Sequence, residues 1–465
     1  MLMSSDTYIS QLKTLLDDDS LLTDQESLNH YGKDWTNIKQ PAPLAIALPK
    51  NTEQVQKIVL WANENQVAVV PSGGRTGLSG GAVAANGELV IALDKMNKIT
   101  GFNAGSQQIH CQAGAITQQI QQYANEHELY YPVDFASSGS SQIGGNIATN
   151  AGGIKVIRYG LTRDWVQGLT VVTGKGDVLE LNKGLIKNAT GYDLRHLFIG
   201  SEGTLGIITE ATLKLTRKPA NLTVLLLAIP NLDCLMPILQ RFQKSLSLTA
   251  FEFFSDEALE KVMAHHNLAC PVEQRTPYYC LLEFDAHSEE IMNDALAEFE
   301  NGLNDELILD GVMSQSQQQV EELWKYREFI SETISGRKPY KNDISVTPEK
   351  ITDFLTGVNN IVAQDYPDFE VIWFGHIGDG NLHLNILAPK NMPYEEFTQA
   401  CEQVNPKIFG LLQEMGGSIS AEHGVGILKK PYLSYTRSEQ EIVYLKSIKQ
   451  AFDPNGIMNP GKVID

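Results

Sequence analysis

Residues 137–153 read SSGSSQIGGNIATNAGG and consist almost entirely of small residues. Backbone N–H groups can approach a phosphate closely only where no Cβ blocks them, so a glycine-rich segment is suited to cradling a diphosphate. Residues 143–150 are also expected to open a helix, whose N-terminus favours a bound anion. The segment therefore predicts an anion-binding loop, although a single loop of this kind could equally be a set of tight turns.

Two further segments share this composition. Residues 72–81 read SGGRTGLSGG after a short apolar strand at 67–70, and residues 200–206 read GSEGTLG. The chain shows neither GxGxxG after a strand nor GxxxxGK[ST], which disfavours a Rossmann NAD site and a Walker NTPase. Residues 77–81 match the GxSxG nucleophile elbow around Ser79, but that motif is weak inside a glycine-rich loop. Three such loops favour a diphosphate-containing cofactor over three unrelated turns.

Composition limits the class of protein. The chain has 465 residues, 42% of them hydrophobic and 20% charged, with a formal net charge of −20. The length suggests about two to four domains. The acidic balance argues against nucleic acids and anionic membrane surfaces as partners. Any bound anion must therefore be held by a local cluster, against the overall field.

The cysteines and the apolar runs indicate a compartment. The five cysteines form no CxxC pair, which predicts reduced thiols rather than a disulfide framework or a cysteine zinc site. We identify no signal peptide, and the longest apolar run, residues 224–229, is too short to span a bilayer. We expect a cytoplasmic, soluble protein, and the oligomeric state stays open, a homodimer included.

The order of elements predicts an α+β fold. A helix is expected at residues 53–65 and strands at 89–93 and 109–113. The pattern changes near Pro219, after which strands at 223–229, 250–254 and 278–284 alternate with amphipathic helices. We predict a first domain at 1–218, a cap domain at 219–440 and a segment at 441–465 that returns to the first domain.

A pair of histidines flanks a turn motif in residues 371–386, VIWFGHIGDGNLHLNI. Asp379-Gly380 between two apolar runs predicts a two-residue hairpin turn. Opposed residues would then have numbers that sum to 759, so His376 and His383 would face each other and Asn385 would share their face. Two such imidazoles can meet one metal ion, although a hydrogen-bonded core pair is the commoner use of two histidines.

A third candidate ligand lies in residues 418–426, SISAEHGVG. Glu422 would complete a His₂-carboxylate set with His376 and His383, an arrangement typical of catalytic zinc with an open position. Nickel, cobalt and manganese also suit these ligands. A zinc hydrolase and a non-catalytic anion-binding protein are alternatives that these residues leave open.

Taken together, the motifs resemble the FAD-linked D-2-hydroxyacid dehydrogenases of the vanillyl-alcohol-oxidase/p-cresol-methylhydroxylase (PCMH) flavoproteins. The resemblance implies a two-domain PCMH-type FAD-binding fold with an α+β cap domain that carries the substrate and a divalent metal. Relatives with covalent flavin usually have a histidine in the first loop, which here offers only Ser72 and Arg75, so we expect non-covalent FAD. The resemblance rests on residues 71–77, 139–145, 148–153, 200–209, 324–327, 375–385, 420–423 and 459–461.

The resemblance also implies which residues hold the cofactor. The expected FAD-binding residues are Pro71, Ser72, Gly73, Gly74, Arg75, Thr76, Gly77, Pro132, Asp134, Ser138, Gly139, Gly144, Gly145, Asn150, Gly153, Glu202, Gly206, Ile207 and Asn459.

Roles in the reaction follow from the same resemblance. His376, His383 and Glu422 would bind the metal, zinc being favoured, and His423 would take the hydroxyl proton while the flavin accepts the hydride. The pattern points to D-2-hydroxyglutarate, with D-lactate and D-malate as alternatives, and to an electron-transfer flavoprotein, a quinone or oxygen as acceptor. The expected substrate-binding residues are Arg327, Ser331 on the same helix face, Lys341, Asn385 and His423.

Overall fold

The computed structural model describes residues 4–36 and 38–465, except for the side chain of Asp18. Its contacts divide the chain into two compact units. The first comprises Met1–Gly152, Leu161–Lys218 and Glu422–Asp465, and the second comprises Gly153–Gly160 and Pro219–Ala421. These limits place residues 422–440 with the first unit and 153–160 with the second, and the division into domains at 218 and 440 stays a prediction.

The mixed helix and strand composition confirms the α+β prediction. The strands are β1 (Leu21–Leu22), β2 (Ala45–Ala47), β3 (Val69–Ser72), β4 (Leu89–Ala92), β5 (Ile99–Asn103), β6 (Gln108–Gln112), β7 (Leu129–Tyr130), β8 (Val166–Thr173), β9 (Val178–Leu181), β10 (Gly206–Lys214), β11 (Thr216–Arg217), β12 (Leu222–Ile229), β13 (Leu248–Ser255), β14 (Tyr278–Asp285), β15 (Asp310–Met313), β16 (Tyr340–Ser345), β17 (Glu370–Gly375) and β18 (Asn381–Leu387).

The helices alternate with these strands. They are α1 (Ser5–Leu12), α2 (Gln25–Tyr31), α3 (Thr52–Asn65), α4 (Thr117–Glu126), α5 (Ile143–Thr149), α6 (Val156–Tyr159), α7 (Arg195–Phe198), α8 (Leu235–Ser245), α9 (Asp256–His266), α10 (Glu289–Asn304), α11 (Gln317–Glu328), α12 (Ile330–Ser335), α13 (Ile351–Asp365), α14 (Tyr394–Glu414) and α15 (Glu439–Phe452). Among the described residues, none of these helices is both long enough and apolar enough to cross a bilayer.

The first unit carries its glycine-rich loops at the ends of sheet strands. Its four-stranded sheet has the order β1-β2-β4-β3, with β2, β4 and β3 parallel, and its five-stranded antiparallel sheet has the order β5-β6-β10-β8-β9. The centres of the parallel strands, Ile46, Val70 and Val90, are fully buried, as parallel strands usually are. Strand β3 leads into the loop that begins at Gly73, and β10 begins at Gly206. The packed core therefore anchors the end of β3 and the start of β10, where these two loops attach.

The second unit is built on a seven-stranded antiparallel sheet of order β15-β12-β14-β13-β17-β18-β16. One face of this sheet packs against α9, α11 and α12 through a single buried apolar cluster that includes Phe254, Leu259 and Trp324. The amphipathic helices predicted after Pro219 are thus confirmed. The sheet fixes the strands that present the polar residues described below.

The hairpin of β17 and β18 forms, but the predicted register is wrong. Phe374 pairs with His383 and Trp373 with Leu384, so paired numbers sum to 757 rather than 759. The connection runs from His376 to Gly380, with a short 3₁₀ turn at Ile377–Asp379 closed by Gly380 at a φ of +88°. A Cβ at Gly380 would lie 1.9 Å from the Val346 carbonyl oxygen. His376 therefore lies on the turn instead of opposite His383.

The helix that was expected to carry Arg327 and Ser331 together is interrupted. Helix α11 ends at Glu328 and α12 begins at Ile330, with Phe329 between them at φ −77° and ψ −5°. The ring of Phe329 lies against His266, at 4.4 Å between centroids. The predicted single helix is therefore divided into two helices, although Phe329 keeps right-handed helical dihedrals, and a shared face for Arg327 and Ser331 stays a prediction.

Candidate active site

A cleft in the first unit lies between the loop after β3, helix α5 and the loop before β10. The space between its walls is about 950 Å³ when the open mouth is included. The cleft brings together segments that are far apart in the sequence. Of the expected FAD-binding residues it is lined by Pro71, Ser72, Gly73, Gly74, Arg75, Thr76, Gly77, Gly144, Gly145, Glu202, Gly206 and Ile207.

The glycines of the cleft serve two purposes. A Cβ at Gly74 would lie 2.3 Å from the Ser140 carbonyl oxygen, so this glycine lets two loops touch. A Cβ at Gly145 would meet nothing within 4 Å, so this glycine keeps space open inside the cleft. The prediction of a helix at residue 143 is confirmed by α5, which contains Gly145.

The cleft also contains polar atoms that suit a bound cofactor. Ser72 Oγ and Gln142 Oε1 are buried and have no hydrogen-bond partner among the described residues. Buried polar groups are normally paired, so these atoms fit the hydrogen-bonding groups of FAD. The sequence reasoning missed Gln142, although its place just before α5 was the available signal.

Seven of the expected FAD-binding residues do not line the cleft. The amide of Asn459 donates to the carbonyl oxygens of Gly81 at 2.9 Å and Glu202 at 2.7 Å, which joins two cleft-lining loops. Asn150 accepts a hydrogen bond from the Arg163 backbone N–H at 3.0 Å. Direct contact of these residues with FAD stays a prediction. The full set is Pro132, Asp134, Ser138, Gly139, Asn150, Asn459 and Gly153, the last of which belongs to the second unit.

The segment that contains His423 is fixed to the cleft wall. The Ser79 hydroxyl lies 2.9 Å and 2.8 Å from the carbonyl oxygens of His423 and Gly424, to which it donates. The Glu202 carboxylate accepts the N–H groups of Val425 and Gly426 at 2.6 Å and 2.9 Å, while burial raises the pKa of Glu202 to about 7. His423 itself lines the cleft. Ser79 lies in a bend rather than between a strand and a helix, so it serves as a loop anchor and not as a nucleophile elbow.

The second unit gathers most of the remaining candidates into a buried polar cluster. The rings of His376 and His383 lie 5.2 Å apart between centroids, nearly perpendicular to each other. Arg327 lies over the Phe374 ring at 4.7 Å, and Phe374 in turn contacts His383 at 4.9 Å. The two histidines are therefore close in spite of the shifted register, because the turn folds His376 back toward β18.

Strands β16 and β18 place a second cation beside this cluster. Lys341 pairs with Asn385 and Asp343 pairs with His383, and directly paired residues of antiparallel strands share a face. The half-buried Lys341 loses solvation, and burial lowers the pKa of its ammonium group. The Asn385 amide donates to the His383 carbonyl oxygen at 3.2 Å. Lys341, Asp343, His383 and Asn385 thus occupy one face of the sheet.

Two buried carboxylates in this unit were missed from the sequence. Glu252 on β13 is fully buried, and Asp343 on β16 accepts the Ala421 backbone N–H at 3.1 Å and the Asn381 amide at 2.8 Å. Because successive side chains of a strand point to opposite faces, Asp343 lies on the same face as Lys341, and this spacing could have identified it from the sequence. Nothing local in the sequence marked Glu252, since its partners lie far away along the chain.

The remaining predicted metal ligand, Glu422, directly follows Ala421 in the chain and groups with the first unit. Its Oε1 lies 3.6 Å from His423 Nε2. Ser331 is half-buried at the start of α12. The predicted metal and substrate residues are thus distributed over both units.

Comparisons with known proteins agree with this arrangement. Residues 43–182 match the family model described as FAD binding domain, and residues 218–463 match the model described as FAD linked oxidases, C-terminal domain. The chain belongs to the family of FAD-linked oxidases. FAD is the cofactor of this family, and the match confirms that the protein is an FAD-dependent oxidoreductase.

Individual relatives cover nearly the whole chain. It is 60% identical over 461 residues to D-2-hydroxyglutarate dehydrogenase of Stutzerimonas stutzeri (strain A1501), covering 99% of both chains. It is 53% identical over 445 residues to D-2-hydroxyglutarate dehydrogenase of Xanthomonas citri pv. viticola, covering 96% of this chain and 94% of the relative. The predicted family, the FAD-linked D-2-hydroxyacid dehydrogenases, is thereby confirmed.

A solved structure supports the fold. The crystal structure of p-cresol methylhydroxylase with substrate bound matches with a TM-score of 0.78 at 16% identity, covering 99% of this chain and 97% of that chain. The PCMH-type fold predicted from the sequence is therefore confirmed.

Proposed function

We propose that this protein oxidises D-2-hydroxyglutarate to 2-oxoglutarate with FAD as cofactor. The observation that carries the choice of substrate is the pair of partly or wholly buried cations, Arg327 and Lys341, beside the histidines of the second unit. Arg can bind a carboxylate bidentately. One cation can serve the carboxylate next to the hydroxyl, which leaves the other for a distal carboxylate. The names of the two bacterial relatives support the same substrate.

His423 is the proposed base. It lines the cleft that fits FAD, and the hydrogen bonds of Ser79 and Glu202 hold its segment in place. When bound, FAD supplies an acceptor for the hydride of the substrate carbon. The imidazole of His423 would take the hydroxyl proton, a role that histidine often has in general base catalysis. Ser331 and Asn385 are proposed to hydrogen-bond the substrate.

The proposed metal ligands are His376, His383 and Glu422, with zinc favoured by their chemistry. The close rings of the two histidines support the first two ligands. Support for Glu422 comes from chain continuity, since the preceding residue, Ala421, is held by Asp343, which pairs with His383. A bound divalent ion would lower the pKa of the substrate hydroxyl. We expect His383→Ala to lose the metal in elemental analysis and to keep the parental flavin spectrum.

The substrate assignment is tested by anaerobic bleaching of the flavin with the D forms of 2-hydroxyglutarate, malate and lactate. We expect the highest kcat/KM for 2-hydroxyglutarate. A charge-assisted contact contributes about 1.5–3 kcal/mol, so Arg327→Met or Lys341→Met should reduce the preference for diacids over lactate roughly ten- to a hundred-fold. A parent enzyme that prefers lactate, or a diacid preference unchanged in both variants, would contradict the assignment.

For the electron acceptor we propose an electron-transfer flavoprotein or a quinone, which the family resemblance supports. Stopped-flow reoxidation of the substrate-reduced enzyme distinguishes these acceptors from oxygen. We expect slow reoxidation in air and fast reoxidation with a soluble quinone or an electron-transfer flavoprotein. Fast reoxidation by oxygen alone would contradict the proposal.

A further inference from the structure

One buried carboxylate, that of Glu252, contacts both a histidine and a cation of the second-unit cluster. The side chain is 0% exposed. Both of its oxygens lie 2.9 Å from His376 Nδ1, and Oε2 also lies 2.8 Å from an Nη of Arg327. The hydrogen bond with His376 and the ion pair with Arg327 offset the cost of burying the carboxylate.

The contact with His376 selects one form of the imidazole. A carboxylate accepts hydrogen bonds, so the ring proton is held at Nδ1, and only Nε2 can then present a lone pair to a metal. Carboxylates that hold the second nitrogen of a metal-binding histidine fix its tautomer and orientation, and their loss typically weakens metal binding 10–100-fold. The sequence distance of 124 residues between Glu252 and His376 explains why no motif reveals this pair.

The contact with Arg327 orients the cation. One Nη is bound to Glu252, and the guanidinium lies over the Phe374 ring at 4.7 Å. The group is thereby fixed in plane and direction, which reduces the entropy lost when it binds a carboxylate. The same Phe374 ring contacts His383 at 4.9 Å. Glu252 thus joins a proposed metal ligand and a proposed substrate cation through one side chain.

We propose that Glu252 is a positioning residue that sets the tautomer of His376 and the direction of Arg327, and so couples metal affinity to substrate affinity. This inference rests on the proposed function, because it takes His376 as a metal ligand and Arg327 as a substrate-binding cation.

The chain offers a matched control on the neighbouring strand. Glu283 on β14 is 2% exposed and is paired with Lys155, while its Oε2 accepts the Trp324 indole N–H at 3.0 Å. Trp324 and Arg327 lie three residues apart on α11, so both glutamates anchor the same helix. Among the described residues, Glu283 forms no hydrogen bond or ion pair with His376 or Arg327. A purely structural role would therefore be shared by the two glutamates, whereas a positioning role belongs to Glu252.

The test compares Glu252→Gln, Glu252→Asp and Glu283→Gln in the FAD-loaded full chain. Glutamine has one acceptor oxygen, which the Arg327 cation will attract, so its NH₂ group will face His376 and favour the proton at Nε2. We expect Glu252→Gln to weaken zinc binding 10–100-fold in competition with a chelator and to raise the KM for D-2-hydroxyglutarate at least tenfold. The flavin spectrum should be parental, and Glu252→Asp should recover part of both losses.

The control variant separates positioning from stability. Glu283→Gln should lower the unfolding temperature while zinc affinity and KM stay within about twofold of the parent. Equal losses in Glu252→Gln and Glu283→Gln would overturn the proposal, as would parental zinc affinity and KM in Glu252→Gln.

A readout independent of activity separates this inference from the proposed function. The ¹⁵N imidazole resonances of His376, assigned with His376→Asn, report its tautomer without metal or substrate. We expect the Nδ1–H form in the parent and the Nε2–H form in Glu252→Gln, and an unchanged tautomer would overturn the inference. A parent that binds no metal and whose flavin is not bleached by D-2-hydroxyglutarate would refute the proposed function, while the ¹⁵N result still decides the role of Glu252.

Discussion

At the scale of single residues, two glycines of similar sequence context have different roles in the first unit. Gly74 allows two loops to touch, whereas Gly145 leaves room for a ligand. The two glycines are both in glycine-rich segments, and the sequence does not distinguish their roles. Only the neighbours in the fold show which glycine supports packing and which supports binding.

Replacing Gly145 with leucine should fill the cleft without disturbing the fold. The position lies within α5, where leucine stabilises a helix by roughly 1 kcal/mol relative to glycine, and nothing lies within 4 Å of the added Cβ. We expect Gly145→Leu to purify with little FAD, as measured by the ratio of absorbance at the flavin band to that of the protein.

The control for this prediction is Gly410→Leu on α14, where a Cβ also meets nothing within 4 Å. That variant should retain full flavin content. A yellow Gly145→Leu protein with parental FAD content would contradict the assignment of the cleft.

Lys462 is a buried cation whose cost should depend on pH. It is 2% exposed, and burial, only partly offset by Glu88 and Asp34, lowers its pKa from 10.5 to about 8. Between these two pH values the unfolded chain binds the proton and the folded chain does not, so the stability of the parent should rise with pH across that interval. At a pH below about 8, burial of the charged Lys462 lowers the free energy of unfolding by its full amount, on the order of 3 kcal/mol.

We therefore expect Lys462→Met to be more stable than the parent at pH 7, with the difference shrinking as the pH approaches 10.5. Unfolding temperatures measured across this range test the prediction. The exposed Lys446 on α15 provides the control, since Lys446→Met should show no such trend. A variant less stable than the parent at pH 7 would show that Lys462 stabilises the fold.

At the scale of elements, the turn between β17 and β18 decides where the histidines lie. Gly380 has a φ of +88°, and a Cβ there would lie 1.9 Å from the Val346 carbonyl oxygen. Alanine would incur the cost of the left-handed conformation, about 1 kcal/mol, and a backbone clash in addition. The position of His376 on the turn makes this cost relevant to the proposed metal ligands.

We expect Gly380→Ala to lower the free energy of unfolding by at least about 2 kcal/mol and to weaken zinc binding. Denaturant unfolding and elemental analysis would measure these effects. Gly336→Ala is the matched control, because a Cβ there meets nothing within 4 Å and its backbone has φ −60°. Equal stability of the two variants would contradict the strain assigned to Gly380.

At the scale of the whole molecule, the chain must hold an anionic cofactor and an anionic substrate despite a net charge of −20. We propose that backbone N–H groups of the glycine-rich loops hold the cofactor in the first unit, and that Arg327 and Lys341 bind the substrate in the second. The first glycine-rich loop, residues 72–81, contains no histidine, which a covalent flavin link usually requires, and it contributes Ser72 and Arg75 to the cleft.

We accordingly expect acid precipitation to release all of the flavin into the supernatant. Because non-covalent FAD would bind only the folded chain, adding FAD to the apoprotein should raise its unfolding temperature. Each tenfold increase in FAD above the dissociation constant should add about 1.4 kcal/mol to the free energy of unfolding. Chromophore that stays with the precipitate, or an unfolding temperature independent of FAD, would contradict non-covalent binding.

The sequence by itself determined the family, the α+β class, the cofactor and the elements around the glycine-rich loops. The family and the cofactor follow from the resemblance of the motifs to known flavoproteins, whereas the α+β class and the elements follow from local composition and periodicity, as for the helix of residues 53–65, found at Thr52–Asn65. The motifs around His376, His383 and His423 also identified candidates for chemistry, because reactive residue types stand out within short segments.

Only the tertiary structure decided the register of the hairpin, the break at Phe329 and the partners of the site. The shift from a sum of 759 to 757 arises because Gly380 closes a five-residue connection against Val346, a contact between separate segments. Glu252 reaches His376 across 124 residues of sequence and Arg327 from another element. Such pairs are set by how the strands and helices pack, which no local pattern of residues encodes.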